Sequence, residues 1–258
     1  MVLPLGDDNS DRTTFPVVNI ALIILNVIVF VAFQGMGGNE GFTLAYSTVP
    51  AEIAGGKDIV TEDRVVEVET SRGPQQVVMP GLKETPIPVY LTILTSMFMH
   101  GGLMHLAGNM WFLWIFGDNI EHDMGKIRYL MFYLLCGVIA SLAHVMVSLS
   151  GPSAMIPSLG ASGAISGVMG AYLVLHPQRR VTVLLVRVLV QVPGYVAVGV
   201  WIGFQVISSI GALGGQSGVA YAAHIGGFIA GAALAKPFMF GRRDDDQPGW
   251  RDVHRLSR

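Results

Sequence analysis

Long apolar runs broken by short polar connections dominate this chain, and the lengths of those runs predict helices rather than strands. A helix needs about 20 mostly apolar residues to cross a hydrocarbon core of about 30 Å. Six stretches meet or approach that length, at roughly 16–33, 91–116, 129–149, 159–176, 192–211 and 219–236. Between the first and second lies the only sizeable polar segment, 34–90. There Val66-Glu67-Val68-Glu69 alternates apolar and polar residues ahead of Gly73-Pro74 and Val77-Val78, a pattern that predicts a short β-hairpin. Residues 86–94 read as an amphipathic interfacial segment that leads into the second run. Asn19 and Asn26, seven apart on one face of the first run, read as interhelical hydrogen-bonding residues.

Composition agrees with a membrane protein. Of 258 residues, 52% are hydrophobic and 13% charged, where a soluble domain carries about a quarter charged. The net charge of -2 gives no footing for a nucleic-acid partner. One cysteine, Cys136, sits inside an apolar run and excludes a disulfide framework or thiolate metal site. Asp7, Asp8 and Asp11 outnumber Arg12 ahead of the first run, unlike the basic start of a signal peptide, so that run is expected to be retained.

Basic residues in short loops favour the cytoplasmic side. Lys126 and Arg128 follow the second run, Arg179, Arg180 and Arg187 the fourth, and Arg242 and Arg243 the sixth, whereas 150–158 and 212–218 contain no Lys or Arg. The expected fold is therefore an all-α membrane protein, a six-helix bundle with both termini inside. Residues 1–15 form a cytoplasmic N-terminus, 16–33 the first span, 34–90 a large external loop, 91–236 a five-span core and 237–258 a cytoplasmic tail.

Within these runs a few polar residues stand out. Ser162 lies at the external end of the fourth run between Gly160 and Gly163, and His224 lies in the first half of the sixth, with Gly227 and Gly231 on its own helical face. Small residues permit close helix packing, and both runs enter from the same side, so serine and histidine fall at similar depth. A neutral imidazole can take the hydroxyl proton while the oxygen attacks an acyl group. No Asp or Glu occurs in either run to orient the ring, so a catalytic pair would be a dyad. In the second run His105 and Asn109 share a face one turn apart and can donate to an oxyanion, with the Ser162 backbone N–H as a third donor. A metal site from His100, His105 and His224 competes, but no carboxylate accompanies them and the i+4 partner of His105 is an amide, a weak ligand. His144 and His176 have no evident partner and read as a packing and a helix-end residue; Trp201 could face a substrate's entry route.

The ordered set Met99-His100-Gly101-Gly102-Leu103-Met104-His105-Leu106-Ala107-Gly108-Asn109, Phe116-Gly117-Asp118-Asn119-Ile120-Glu121, Tyr133-Leu134-Leu135-Cys136-Gly137, Gly160-Ala161-Ser162-Gly163-Ala164 and Ala223-His224-Ile225-Gly226-Gly227 resembles the rhomboid intramembrane serine proteases. The resemblance covers about 91–232 and the first run. It implies a rhomboid-type bundle in which Ser162 is nucleophile, His224 base, and His105, Asn109 and the Ser162 backbone the oxyanion hole. His100 would be structural, bonding the external loop above the site, and Gly227 and Gly231 would bring the sixth helix to the fourth. It further implies an endopeptidase cutting transmembrane or juxtamembrane segments of single-span or multi-span membrane proteins, with the bilayer as its other partner and neither cofactor nor metal. The expected location is a prokaryotic inner membrane, with the site open to the external face. The alternative is a catalytically silent relative that binds membrane clients; a transporter fits less well, because inverted repeats are not apparent. Two positions depart from the family pattern: Ser166 stands where some members carry an aromatic residue beside the histidine, and no tryptophan precedes Trp111.

Overall fold

The computed structural model describes residues 2–70, 73–212 and 221–241. The connection expected at 212–218 falls largely outside these residues, as do the first two residues of the sixth run and the tail from 242 onward with Arg242 and Arg243. In chain order, β1 (Val2–Asp7) precedes α1 (Val17–Ile28), which continues as a wider turn to Phe33. Short helices α2 (Glu40–Tyr46) and α3 (Pro50–Gly55) follow, then a hairpin of β2 (Arg64–Thr70) and β3 (Gly73–Met79). Next come α4 (Thr92–Thr95), α5 (Leu103–Met124), α6 (Lys126–Ser148) and α7 (Ser162–Leu175). Strands β4 (Arg180–Leu185) and β5 (Val188–Pro193) then lead into α8 (Gly194–Ala212), and α9 (Tyr221–Met239) completes the bundle.

Helix α7 runs through the middle, packed on α5, α6, α8 and α9. Phe116, Tyr129, Phe132, Tyr133, Cys136, Val168, Met169 and Tyr172 are all buried around it. Helix α1 is inside-out for a water-soluble protein: Asn19 and Asn26 are fully buried, while Ile24, Leu25, Ile28 and Val31 are exposed. Asn19 donates to the Leu113 carbonyl and accepts from Tyr129 Oη, joining three helices, and Asn26 Nδ2 donates back to the Leu22 carbonyl of its own helix. Exposed Met131, Met146, Phe204 and Ile207 extend the apolar outer surface over α6 and α8, as expected where the surrounding solvent is hydrocarbon.

Two features differ from the sequence expectation. The second run does not form one helix over 91–116: residues 89–98 form a short helical piece bent 78° from α5, which itself reaches Met124. The break falls at Met99 to Gly102, where Met99 is extended and two successive glycines have poor helix propensity. Nor is the fold all-α. β1, β4 and β5 form an antiparallel three-stranded sheet in the order β1-β4-β5, with Val2 opposite Leu185 and Asp7 opposite Val181. Its β4–β5 hairpin is rich in valine, which suits a pleated, half-buried surface. Part of that hairpin had merged with the apolar run that begins α8.

Among the described residues α6 alone is long and apolar enough to cross a bilayer by itself, and the bent pair of 89–98 with α5 is a further candidate. The fold is a mostly helical bundle with an apolar outer surface.

Candidate active site

Helices α7 and α9 approach backbone to backbone. A methyl group on Gly227 would run into the Gly163 carbonyl, and one on Gly231 into the Gly167 carbonyl. Matching steps of four on both helices mean that they run side by side in the same direction, and only glycine permits this approach. Gly163 also lies against Ala140 of α6, so one glycine receives two neighbours. The result brings the first residue of α7 beside the first turn of α9: His224 Nε2 lies 2.7 Å from Ser162 Oγ.

The other ring nitrogen, Nδ1, lies 2.8 Å from Gln205 Oε1 on α8. An amide oxygen only accepts, so Nδ1 carries the proton and Nε2 accepts from the serine hydroxyl. Both His224 nitrogens are thus engaged, and Nε2 faces Ser162. Ser166 is fully buried and donates to the Ser162 carbonyl at 2.6 Å; it supports the turn of helix beneath the serine, not the histidine ring. Trp201 stands 6.0 Å from the His224 ring, centroid to centroid, and also contacts Phe112.

Across from the pair, the Gly101 backbone N–H donates to His105 Nδ1 at 3.3 Å, leaving the other ring nitrogen as the protonated donor. Gly160, at φ +129°, occupies a conformation that favours glycine. A methyl group there would lie 2.9 Å from His105 Cε1 and 3.6 Å from Ser162 Oγ, so the imidazole sits close over this backbone. Asn109 is buried on the same face of α5, and its Nδ2 has no hydrogen-bond partner among the described residues. His100 bonds through its backbone: its N–H donates to Gln34 Oε1 and its carbonyl accepts from Gln34 Nε2. Its buried ring instead packs edge-on against His105 with centroids 5.2 Å apart. His100 thus meets the 34–90 segment through its backbone, clamped by Gln34.

A cavity of about 670 Å³ opens beside these groups, lined by His105, Asn109, Ser162, Trp201, Gln205 and His224 with apolar and small residues, and, among the described residues, without Asp, Glu, Lys or Arg. His144 lines it as well, with its Nε2 3.4 Å from Ser148 Oγ.

Gln205 and Gln34 escaped the sequence reading. Each is a single amide without a motif, and the only available signal was a polar residue inside or beside an apolar run. The second oversight lies at the opposite ends of α5 and α7. Glu121 accepts the Val18 and Asn19 N–H groups at 3.0 and 2.7 Å, capping the start of α1. Arg12 pairs with Asp118 at 2.6 Å, and Arg179 grips Asp11 with both terminal guanidinium nitrogens. His176, expected to lack a partner, lies 2.5 Å from Asp123 Oδ2. Asp7 at the end of β1 accepts from Tyr172 Oη and Asn119 Nδ2, both at 2.7 Å, and burial pushes its carboxyl up to about 7.

Residues 89–240 match the family model described as Rhomboid domain. The chain belongs to the rhomboid family, whose members are integral to membranes. It is 35% identical over 155 residues to Rhomboid protease GluP of Bacillus subtilis, covering 58% of this chain and 28% of that protein. It is 31% identical over 145 residues to Rhomboid protein 1, mitochondrial, of Saccharomyces cerevisiae, covering 55% and 40%. It is also 30% identical over 139 residues to the human Presenilin-associated rhomboid-like protein, mitochondrial, covering 54% and 35%. The chain thus spans well under half the length of these relatives.

Proposed function

We propose that this protein is an intramembrane serine endopeptidase that cleaves transmembrane or juxtamembrane segments of other membrane proteins with a Ser162–His224 dyad. The observation that carries the reading is the 2.7 Å contact between Ser162 Oγ and His224 Nε2 on the wall of an open, uncharged cavity.

The chemistry follows from the proton positions. His224 Nε2 takes the Ser162 hydroxyl proton as Oγ bonds to the scissile carbonyl carbon, and the carbonyl oxygen becomes an oxyanion. His105, the unpartnered Asn109 Nδ2 and the Ser162 N–H, which has no intrahelical acceptor at the first turn, are the donors proposed for that charge. One such donor is worth about 3 kcal/mol. As the C–N bond breaks, the imidazolium returns its proton to the amine. Water then attacks the acyl ester while His224 takes its proton, and Oγ leaves with that proton restored. Gly160, Gly163, Gly227 and Gly231 shape the site, while His100 and Ser166 support it, through the His105 ring and the Ser162 carbonyl respectively.

Six spans with both termini inside, and 34–90 outside, remain our topology. The length of α7 supports a sunken site: its 14 residues cover about 21 Å of a core of about 30 Å. If its Leu175 end reaches one surface, Ser162 stands roughly 10 Å below the other. A cavity open above it then supplies water to a bond in lipid. We assign the protein to a prokaryotic cell membrane on the strength of its bacterial relative, although the yeast and human relatives are named as mitochondrial.

The deciding experiment compares parent and Ser162→Ala, both folded and membrane-inserted, on a single-span test substrate. Cleavage is expected from the parent only, and equal rates would overturn the assignment. Activity should also fall on acidification as His224 gains a proton; a rate that stays flat down to the pH at which the protein unfolds would count against its role as base.

A further inference from the structure

We infer that Gln205 is a positioning residue for His224, the neutral counterpart of the acid that orients the base in a three-residue hydrolase site; this rests on the dyad reading above. The geometry is direct, with Gln205 Oε1 2.8 Å from His224 Nδ1 and Nε2 turned to Ser162. Gln205 is 8% exposed and stands in a helix that is otherwise apolar from Tyr195 to Ile207. A buried amide there costs free energy unless it is hydrogen-bonded.

The other groups facing His224 do not replace it. Trp201 on α8 offers only a donor, and Tyr221 on α9 presents its ring edge-on at 6.5 Å. His105 on α5 and His144 on α6 share the cavity, and among the described residues no carboxylate lines it. Gln205 therefore supplies the fixed acceptor that selects the Nδ1–H tautomer. With the opposite tautomer, Nε2–H would face the Ser162 hydroxyl and could not accept its proton. In triads, holding the wrong tautomer costs up to about 10⁴ in kcat.

An amide also suits this place better than an acid. A carboxylate without an accompanying cation would bear a large desolvation penalty in an uncharged cavity, whereas an amide orients the ring and leaves it neutral. Because Gln205 comes from α8 while serine and histidine come from α7 and α9, the base is aligned only when α8 is seated against its neighbours. Alignment of the dyad is thus a property of three helices.

The test uses the full chain in lipid nanodiscs. It measures kcat and KM separately for a single-span substrate from the lowest pH at which the protein stays folded up to about pH 9, so that the acidic limb set by histidine protonation is reached, and records thermal unfolding of each variant. Gln205→Leu keeps the bulk and removes the acceptor; kcat should fall about 10- to 100-fold with KM little changed, in the range for lost orienting partners. Gln205→Glu restores an acceptor: kcat should exceed that of Gln205→Leu by about tenfold, and the acidic limb of the profile should move up by about one pH unit, because a carboxylate favours the imidazolium. A purely structural role would change unfolding without moving that limb. The inference is overturned if Gln205→Leu matches the parent in kcat and pH profile, or if Gln205→Glu folds and leaves the limb where it was. Ser162→Ala separates the two readings: if it cleaves like the parent, the dyad itself fails. If it is inactive while Gln205→Leu is unaffected, only the role of Gln205 falls.

Discussion

Around His105 and Ser162, one end of α5 and α7 is lined by neutral and small groups, and Asn109 Nδ2 has no partner among the described residues. At the other end, about 20 Å along the same helices, Asp118, Glu121 and Asp123 engage Arg12, the start of α1 and His176. The difference separates two tasks. On the proposed mechanism, donors that meet a developing charge must stay unsatisfied until substrate arrives, which costs stability locally. The opposite end offsets this with charge-assisted hydrogen bonds that tie β1, α1, α5 and the β4 connection together. Neither arrangement would serve in the other's place: a charged network would fill the cavity, and idle donors would leave the sheet unheld.

The sharpest way to break this comparison is to remove the reacting groups. Ser162→Ala and His224→Ala should each lower kcat/KM by at least about 10³-fold, given the strong coupling of such pairs. Their unfolding midpoints should stay close to the parent's. Loss of folding in both, without a folded inactive form, would mean that the cavity end is structural after all.

Next come the idle donors. Asn109→Ala should reduce kcat by about 10²-fold, in the range measured for losing one oxyanion donor, and leave KM nearly unchanged. Steady-state kinetics on the single-span substrate would check it; a change confined to KM would move Asn109 from charge stabilisation to ground-state binding.

The opposite end should answer to a different assay. Arg179→Met removes contacts to Asp11, Asn119 and the Asp8 carbonyl. It should lower unfolding free energy by about 2 kcal/mol, below the cost of breaking a fully buried pair because Asp11 is partly exposed. Activity of the folded fraction should remain, since distant sites act additively within about 0.5 kcal/mol. A drop in kcat at constant folded fraction would show that the two ends are coupled.

A pH-dependent effect at the same end concerns Asp7. Burial raises its carboxyl to about 7, with the nearby Asp118 adding to the rise, while Tyr172 and Arg179 oppose it. A carboxyl raised in the fold favours the protonated form. Its stabilising contribution is complete below the ordinary carboxylate range near 4 and is lost as pH rises through about 7. Between these limits the unfolding midpoint of the parent should fall relative to Asp7→Asn, and the asparagine variant should be the more stable at pH values above the window. Parallel midpoint curves across it would refute the buried-carboxyl account.

Ser162, His224, His105 and Asn109 could be picked out by inspection because each is a polar residue in an apolar run, at a spacing that reports its helix face. Gly227 and Gly231 were legible for the same reason, since steps of three and four from His224 place them on its face. Gln205 has the same character but no spaced partner in its own helix, and its role depends on a residue 19 positions away. The partner of His176 lies 53 residues back, and β1 meets β4 across most of the chain. Such pairings carry no local period.

Apolar run lengths and the order of short motifs thus decided the helical class and the family, and they pointed to the side chains proposed for the chemistry. They could do so because amphipathic period and intruding polar groups are local properties. Tertiary packing decided the bend at Met99–Gly102, the sheet that gathers β1 to β4 and β5, the backbone clamp on His100 and the nitrogen of His224 that faces serine. Those depend on which surfaces meet. Hydrogen bonds between distant segments form only when burial leaves a polar group no alternative partner.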